Sequence, residues 1–200
     1  MKSLNTVFAV PYRKSEFPQK LLPLQDAFVK CDIYTGNKTF SRMGKSIRTV
    51  NTIHKRKEYE YLCHWIEREC SIFTNNAFGL SKTLPIRSMW GTVNAKQNQW
   101  NTPHTHPESI ISGVFWLSTP EGSGDFVLYN PTNIDWWTHR LFSHENVTTN
   151  AFNGTYFKIP PKEGTLLLFP SYVPHMVEPN TCDVNRISIS FNLDKICLKI

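Results

Sequence analysis

The sequence predicts a mainly β protein, an all-β barrel or sandwich such as a jelly roll, with buttressing helices supplied by its N-terminal part. Three observations carry that expectation. From residue 85 onward, short apolar runs recur between turn signals rich in Pro and Gly. The last run alternates cleanly, with Ile187, Ile189 and Phe191 on one face and Arg186, Ser188, Ser190 and Asn192 on the other. Aromatic residues make up 13% of the chain, including six Trp and thirteen Phe, which suits a β-rich core or an aromatic-lined pocket.

The elements follow in order. Residues 4–11 fit an edge strand. Residues 21–34 carry Leu24, Ala27, Phe28 and Cys31 at helical spacing. Residues 58–78 repeat that spacing more strongly through Tyr61, Leu62, Trp65, Ile66, Cys70 and Phe73, and Gly79 stands where it would stop the helix. Strands are then expected at 86–95, 109–117, 125–129, 155–159, 165–169, 175–177 and 186–193. Pro-Glu-Gly-Ser-Gly at 120–124 and the Pro- and Gly-bearing segment 159–164 are turns. The longest irregular stretch is 130–154, and a loop of that length in a compact domain is often functional. Its adjacent Trp136 and Trp137 are expected to pack in the core, with a substrate lid or a plug for the end of the barrel as the alternative. At 200 residues the chain has one domain's length, read as a helical part at 1–83 and a jelly-roll core at 84–195.

Composition narrows the function classes. No apolar run approaches the roughly 20 residues that span a bilayer. The N-terminal apolar patch is too short for a secretory signal core, so a cytoplasmic protein is expected. The five cysteines (Cys31, Cys63, Cys70, Cys182, Cys197) are odd in number and form no Cys-x-x-Cys pair, which fits reduced thiols. Net charge is +6, concentrated in residues 1–58, which hold twelve Lys/Arg against four Asp/Glu. The surplus peaks at 42–57, with Lys45, Arg48, Lys55, Arg56 and Lys57. A patch like this can bind nucleic acid or an acidic partner. A solvated face is the preferred reading, because no aromatics interleave the charges.

The chemistry is carried by three histidines and an arginine. His104-Thr105-His106-Pro107 can place two imidazoles on one side of an extended strand. His175 and Arg186 follow far along the chain. Convergent imidazoles suggest Fe, Zn, Cu or Ni. A nearby guanidinium suggests a carboxylate ligand, which its planar fork matches bidentately.

These segments, together with residues 101–115, 160–171, 174–180 and 186–192, resemble a family of 2-oxoglutarate/Fe(II) oxygenases of bacteria and phages over residues 85–193. The resemblance implies a double-stranded β-helix with Fe(II) and 2-oxoglutarate in its mouth and O2 as the oxidant. It implies an oxidative reaction, most simply hydroxylation of a C–H bond of a protein side chain (such as proline) or a small molecule, with succinate and CO2 as co-products. His104 and His175 match the two histidines of the family's iron site, and His106 stands where a carboxylate is usual. Arg186 matches the residue that grips the far carboxylate of 2-oxoglutarate, and Ser188 would add a hydroxyl.

Two ligand sets stay open on the residues: His104/His106/His175, which is preferred, and a set using Glu108, since His106-Pro107-Glu108 is itself a His-x-Glu. Tyr129 would approach 2-oxoglutarate from the end of its strand, and Trp100 and Asn101 would line the pocket. Two other function classes remain: a three-histidine, cupin-like dioxygenase without 2-oxoglutarate, and a non-catalytic jelly-roll module with a structural zinc. A structural zinc usually has four protein ligands, and only three candidates stand out.

Overall fold

In a computed structural model of the chain, the structure describes residues 9–30, 47–94, 100–132, 135–144, 147–150 and 152–194. The alternation at the end of the chain organises what is seen there. In strand β10 (Arg186–Leu193), Ile189, Phe191 and Leu193 turn to one side and join a core shared with helices. Ser188 and Ser190 turn to the other side and line a cavity. One strand therefore separates the hydrophobic support from the chemical site.

The remaining elements are β1 (Arg13–Glu16), α1 (Leu22–Lys30), β2 (Ile47–Arg48), α2 (Glu60–Phe78), β3 (Ile86–Asn94), β4 (Asn101–His104), β5 (Ile111–Ser118), β6 (Phe126–Tyr129), α3 (Asp135–Phe142), β7 (Tyr156–Ile159), β8 (Thr165–Pro170) and β9 (His175–Val177). They form a six-stranded sheet in the order β1-β8-β5-β10-β3-β2 and a four-stranded sheet in the order β4-β9-β6-β7. Every strand pairing in both sheets is antiparallel. This is the expected jelly roll.

Two cores hold it together. Between the sheets, Val114, Trp116, Leu167 and Phe169 of the large sheet meet Phe126, Leu128, Ile159 and Val177 of the small one. Behind the large sheet, Phe115, Leu166, Leu168, Ile189 and Phe191 pack on Phe28 of α1 and on Leu62, Trp65, Ile66, Cys70 and Phe73 of α2. Each large apolar side chain removed from water contributes roughly 1.5–3 kcal/mol, so the helices anchor one face of the site-bearing sheet. Helix α2 stops where expected: Gly79 is left-handed at φ 67°, and its N–H donates to the carbonyls of Asn75 and Thr74.

Several boundaries differ from expectation. Tyr61 is not part of the buried stripe of α2 but is 49% exposed. Helix α1 runs to Lys30, and residues 31–34 lie outside the described residues. The expected edge strand at 4–11 is replaced by β1, which begins at Arg13; residues 9–11 are not strand and 1–8 lie outside the described residues. The reason is a buried carboxylate rather than an apolar pattern. Glu69 on α2 accepts hydrogen bonds from Arg13 Nη2 and Ser15 Oγ, both at 2.6 Å, and this clamps a charged strand onto the edge of the sheet.

Helix α3 occupies part of the stretch read as irregular and carries Trp136 and Trp137, whose side chains lie outside the described residues. Strands β2 and β4 are additional. Each lies at the edge of its sheet, where Pro103 is tolerated in β4.

Candidate functional site

His104 is the last residue of β4 and lies directly across from His175, the first residue of β9. His106 is not on the strand. Beyond β4 the chain leaves the ladder, and the backbone N–H of His106 donates to the Ser171 carbonyl at 3.0 Å. The two neighbouring histidines are thus brought together by a strand end and the loop after it, not by alternation along one strand. The three ring centroids stand 4.3–5.2 Å apart. One nitrogen from each ring lies within 4.8 Å of the others, a set that could hold a metal ion.

Hydrogen bonding selects which nitrogens are free. His104 Nδ1 lies 2.7 Å from the Thr102 carbonyl, and His175 Nδ1 lies 3.0 Å from the Val173 carbonyl. A carbonyl can only accept, so each Nδ1 carries a proton, and Nε2 is the nitrogen that the neutral ring leaves for a metal. Burial pushes the His175 imidazole down to about 3, helped by neighbouring His104 and opposed by the Val173 bond. Burial likewise lowers His106 to about 4, with His104 and Arg48 adding to the effect. Phe126 stacks on His175 at 5.6 Å and Phe169 meets it edge-on at 4.7 Å, which supplies the apolar surroundings. Both rings are therefore neutral at neutral pH, the form that binds metal.

Glu108 does not join them. Its carboxylate accepts from Arg87 Nη2 at 3.2 Å and its side chain is 83% exposed. The set containing Glu108 is not assembled in this structure.

The histidines line a cavity of about 330 Å³ together with Arg48, Trp90, Asn101, Ser112 and Ser188. Asn101 is placed as expected, whereas Trp100 is not part of the lining. Ser112 Oγ donates to Asn192 Oδ1 at 2.8 Å and sits 2.7 Å from Ser171 Oγ, tying β5, β10 and the segment after β8 together beside the cavity.

Arg186 lies on the same face of β10 as Ser188 and Ser190 but deeper, at 1% exposure. Its Nη1 donates to the Ser123 carbonyl at 3.2 Å, and its Nε and Nη2 have no partner among the described residues. It pairs with neither Asp183 nor Glu178, whose carboxylate is taken by Lys158. Burial pulls its pKa down to about 10, with Asp125 opposing.

Asn94 Nδ2 and Trp116 Nε1 are also buried without partners among the described residues. The register places Asn94 across from Arg186 and Trp116 across from Ser188. The face around Arg186 thus carries several unused N–H donors. Leaving such donors buried and unpaired is costly. A carboxylate would satisfy several at once, so the residues present fit an α-keto diacid.

Tyr129 is not brought to the cavity. Phe126 and Leu128 face inward on β6, so Tyr129 falls on the outer side, where its hydroxyl contacts Met176 Sδ at 2.9 Å. The sequence reading missed Arg48, Trp90 and Trp116 at the site. Arg48 was hidden in a basic run, and the two tryptophans carried no pattern apart from that of core residues.

Residues 88–192 match the model of a family described as "Putative 2OG-Fe(II) oxygenase". The chain belongs to this 2-oxoglutarate/Fe(II) oxygenase family. The oxygenase is therefore an enzyme of the class that uses Fe(II), 2-oxoglutarate and O2. Solved structures agree on the fold. A prolyl-4-hydroxylase from Pseudomonas putida is similar over 93% of each chain at 12% identity, with a TM-score of 0.64. HygX from Streptomyces hygroscopicus, crystallised with nickel and 2-oxoglutarate, is similar over 94% of this chain and 84% of its own at 10% identity and a TM-score of 0.62. A Trichoplax adhaerens prolyl hydroxylase, solved with a hypoxia-inducible-factor peptide fragment, is similar over 92% and 83% at 16% identity and a TM-score of 0.62. No curated protein matches the oxygenase in sequence. No helix among its described residues is long and apolar enough to cross a membrane.

Proposed function

We propose that the oxygenase holds Fe(II) with His104, His106 and His175, and grips the far carboxylate of 2-oxoglutarate with Arg186 and Ser188. The observation that carries this reading is the Arg186 guanidinium, buried with two unpartnered nitrogens on the face of β10 whose next residues line the three-histidine cavity. When bound, the iron and 2-oxoglutarate supply the activation of O2, with succinate and CO2 released. The protein's own residues provide the rest. The Nδ1 bonds of His104 and His175 fix their rings, Arg186 and Ser188 orient the co-substrate, and Phe126 and Phe169 keep water from the metal side.

The reaction is hydroxylation of a C–H bond. Two of the three structural neighbours named above are prolyl hydroxylases, one solved with a peptide, which makes a protein side chain such as proline the first substrate class to test. A small molecule is the second. Three neutral imidazoles leave the iron one positive charge higher than a two-histidine, one-carboxylate site would. The 2-oxoglutarate dianion then compensates more of that charge.

Anaerobic addition of Fe(II) and 2-oxoglutarate should produce the visible charge-transfer band of the chelate. Exposure to O2 should then release succinate. A wild-type protein that binds Fe(II) tightly but shows no band and no succinate would instead be a three-histidine dioxygenase independent of 2-oxoglutarate.

A further inference from the structure

Arg48 belongs to the basic run at 42–57, yet it does not behave as a solvated surface charge. It lies on edge strand β2, across from Thr92 of β3, and it lines the same cavity as the three histidines. Its guanidinium carbon stands 4.5 Å from the centre of the Trp90 ring, and Trp90 in turn stands 6.0 Å from the His106 ring. Burial lowers the Arg48 pKa, and its charge reaches His106. Among the described residues it has no carboxylate partner. None of the described residues lining the cavity is acidic.

Charge arithmetic makes this pocket unusual. With the ligand set proposed above, on which this argument rests, a bound Fe(II) keeps its full +2 charge. Arg186 and Arg48 add one each, the 2-oxoglutarate dianion removes two, and Asp125, whose charge reaches Arg186, removes one. A half-buried pocket is left with a surplus of about one positive charge, in surroundings where charges are screened less than in water. Arg186 is occupied by the co-substrate, so among the described residues lining the cavity Arg48 is the free cation. The cation–π contact with Trp90 fixes the position of the guanidinium without a carboxylate, and its fork of N–H donors matches a bidentate acceptor.

We propose that Arg48 anchors the substrate, its guanidinium held over the Trp90 ring and receiving an anionic group, carboxylate or phosphate, of the molecule that is oxidised beside His106. The substrate class is thus narrowed to anionic molecules, whether free or attached to a chain.

Calorimetric titration with benzoate, phenyl phosphate and neutral benzamide tests this, using metal-free protein saturated with 2-oxoglutarate. At least one of the two anions should bind and benzamide should not. Arg48→Gln should weaken that anion roughly tenfold or more, as expected for lost hydrogen bonds to a charged group. Arg48→Lys, which keeps the charge but loses the fork, should fall between. Tighter binding of benzoate assigns a carboxylate, and tighter binding of phenyl phosphate assigns a phosphate. Equal behaviour of wild type and Arg48→Gln toward both anions, including no binding by either, overturns the proposal. So does a loss of 2-oxoglutarate affinity in Arg48→Gln, which would make Arg48 a co-substrate residue. The Fe(II)·2-oxoglutarate band, measured separately on both proteins, reports on the co-substrate reading. Its absence in wild type defeats that reading and leaves the anion titration to decide Arg48 by itself.

Discussion

His104 and His175 face each other across the β4–β9 pair, and the same device fixes both rings. In each, Nδ1 meets the carbonyl two residues earlier in the chain, Thr102 at 2.7 Å and Val173 at 3.0 Å. Two rings are therefore oriented with Nε2 toward a metal before any arrives, and His106 completes the group from the adjoining loop. Preset ligands lose little freedom on binding, which favours affinity.

Removing any one of the three imidazoles should weaken Fe(II) binding by roughly a hundredfold or more, because even outer groups that orient ligands cost ten- to a hundredfold. Glu108→Ala should leave it within about twofold, since Glu108 is held by Arg87 at the surface. Anaerobic Fe(II) titration of the His104→Ala, His106→Ala, His175→Ala and Glu108→Ala variants checks both halves. A large loss in Glu108→Ala would move the ligand set to the carboxylate.

Arg186→Met separates a ligand-binding role from a structural one. A buried guanidinium with two unpaired nitrogens costs stability, so an apolar replacement of similar length should leave the melting temperature of the ligand-free protein unchanged or raised. The single bond to the Ser123 carbonyl offsets roughly 1.5–3 kcal/mol of that gain. Affinity for 2-oxoglutarate should fall by about 2–5 kcal/mol, the usual cost of truncating one partner of a buried charge pair. A lower melting temperature with unchanged 2-oxoglutarate affinity would make Arg186 part of the scaffold.

Glu69 should make stability depend on pH in the acid range. Burial pushes its carboxyl up, but the bonds from Ser15 and Arg13 and the charges of Arg13 and Arg68 outweigh burial, so the net shift is downward. A lowered folded value means its stabilisation is complete above the ordinary carboxyl range and is lost as pH falls through the folded value. Glu69→Gln should therefore cost roughly 1–3 kcal/mol at pH 7, and progressively less toward pH 3. Urea unfolding at the two pH values measures the difference. A pH-independent cost would mean that the clamp of β1 to α2 does not act through the ionised carboxylate.

How much of this was legible in the sequence follows from how each part is held. Strand β10 and helix α2 could be read because one face of each is apolar at a fixed period. Strands β1, β2 and β4 could not, because backbone pairing at sheet edges holds them, and in β1 a distant carboxylate does so as well. The three histidines and Arg186 stood out by residue type and spacing. The direction of Tyr129 depended on the inward facing of Phe126 and Leu128, which a four-residue strand does not declare. Arg48 looked like one charge among many until Trp90 was placed beneath it.

Gly113 of β5 tests how tightly the cavity wall is packed. A Cβ there would stand 2.5 Å from the Phe191 ring and 2.7 Å from the Leu167 carbonyl oxygen. The ring belongs to the core behind the sheet and the oxygen to the neighbouring strand β8, so neither can swing away as a flexible side chain would. Gly113→Ala should cost roughly 1–3 kcal/mol through overpacking. It should also disturb the cavity, because both Gly113 and Phe191 line it. Gly79→Ala provides the contrast: nothing lies within 4 Å, and only the left-handed φ of 67° opposes the substitution, at about 1–2 kcal/mol. The two variants could therefore lose similar stability, and binding is what tells them apart. Gly113→Ala should weaken the Fe(II)·2-oxoglutarate band and Gly79→Ala should not. An unchanged band in a destabilised Gly113→Ala protein would show that the wall yields without moving the site.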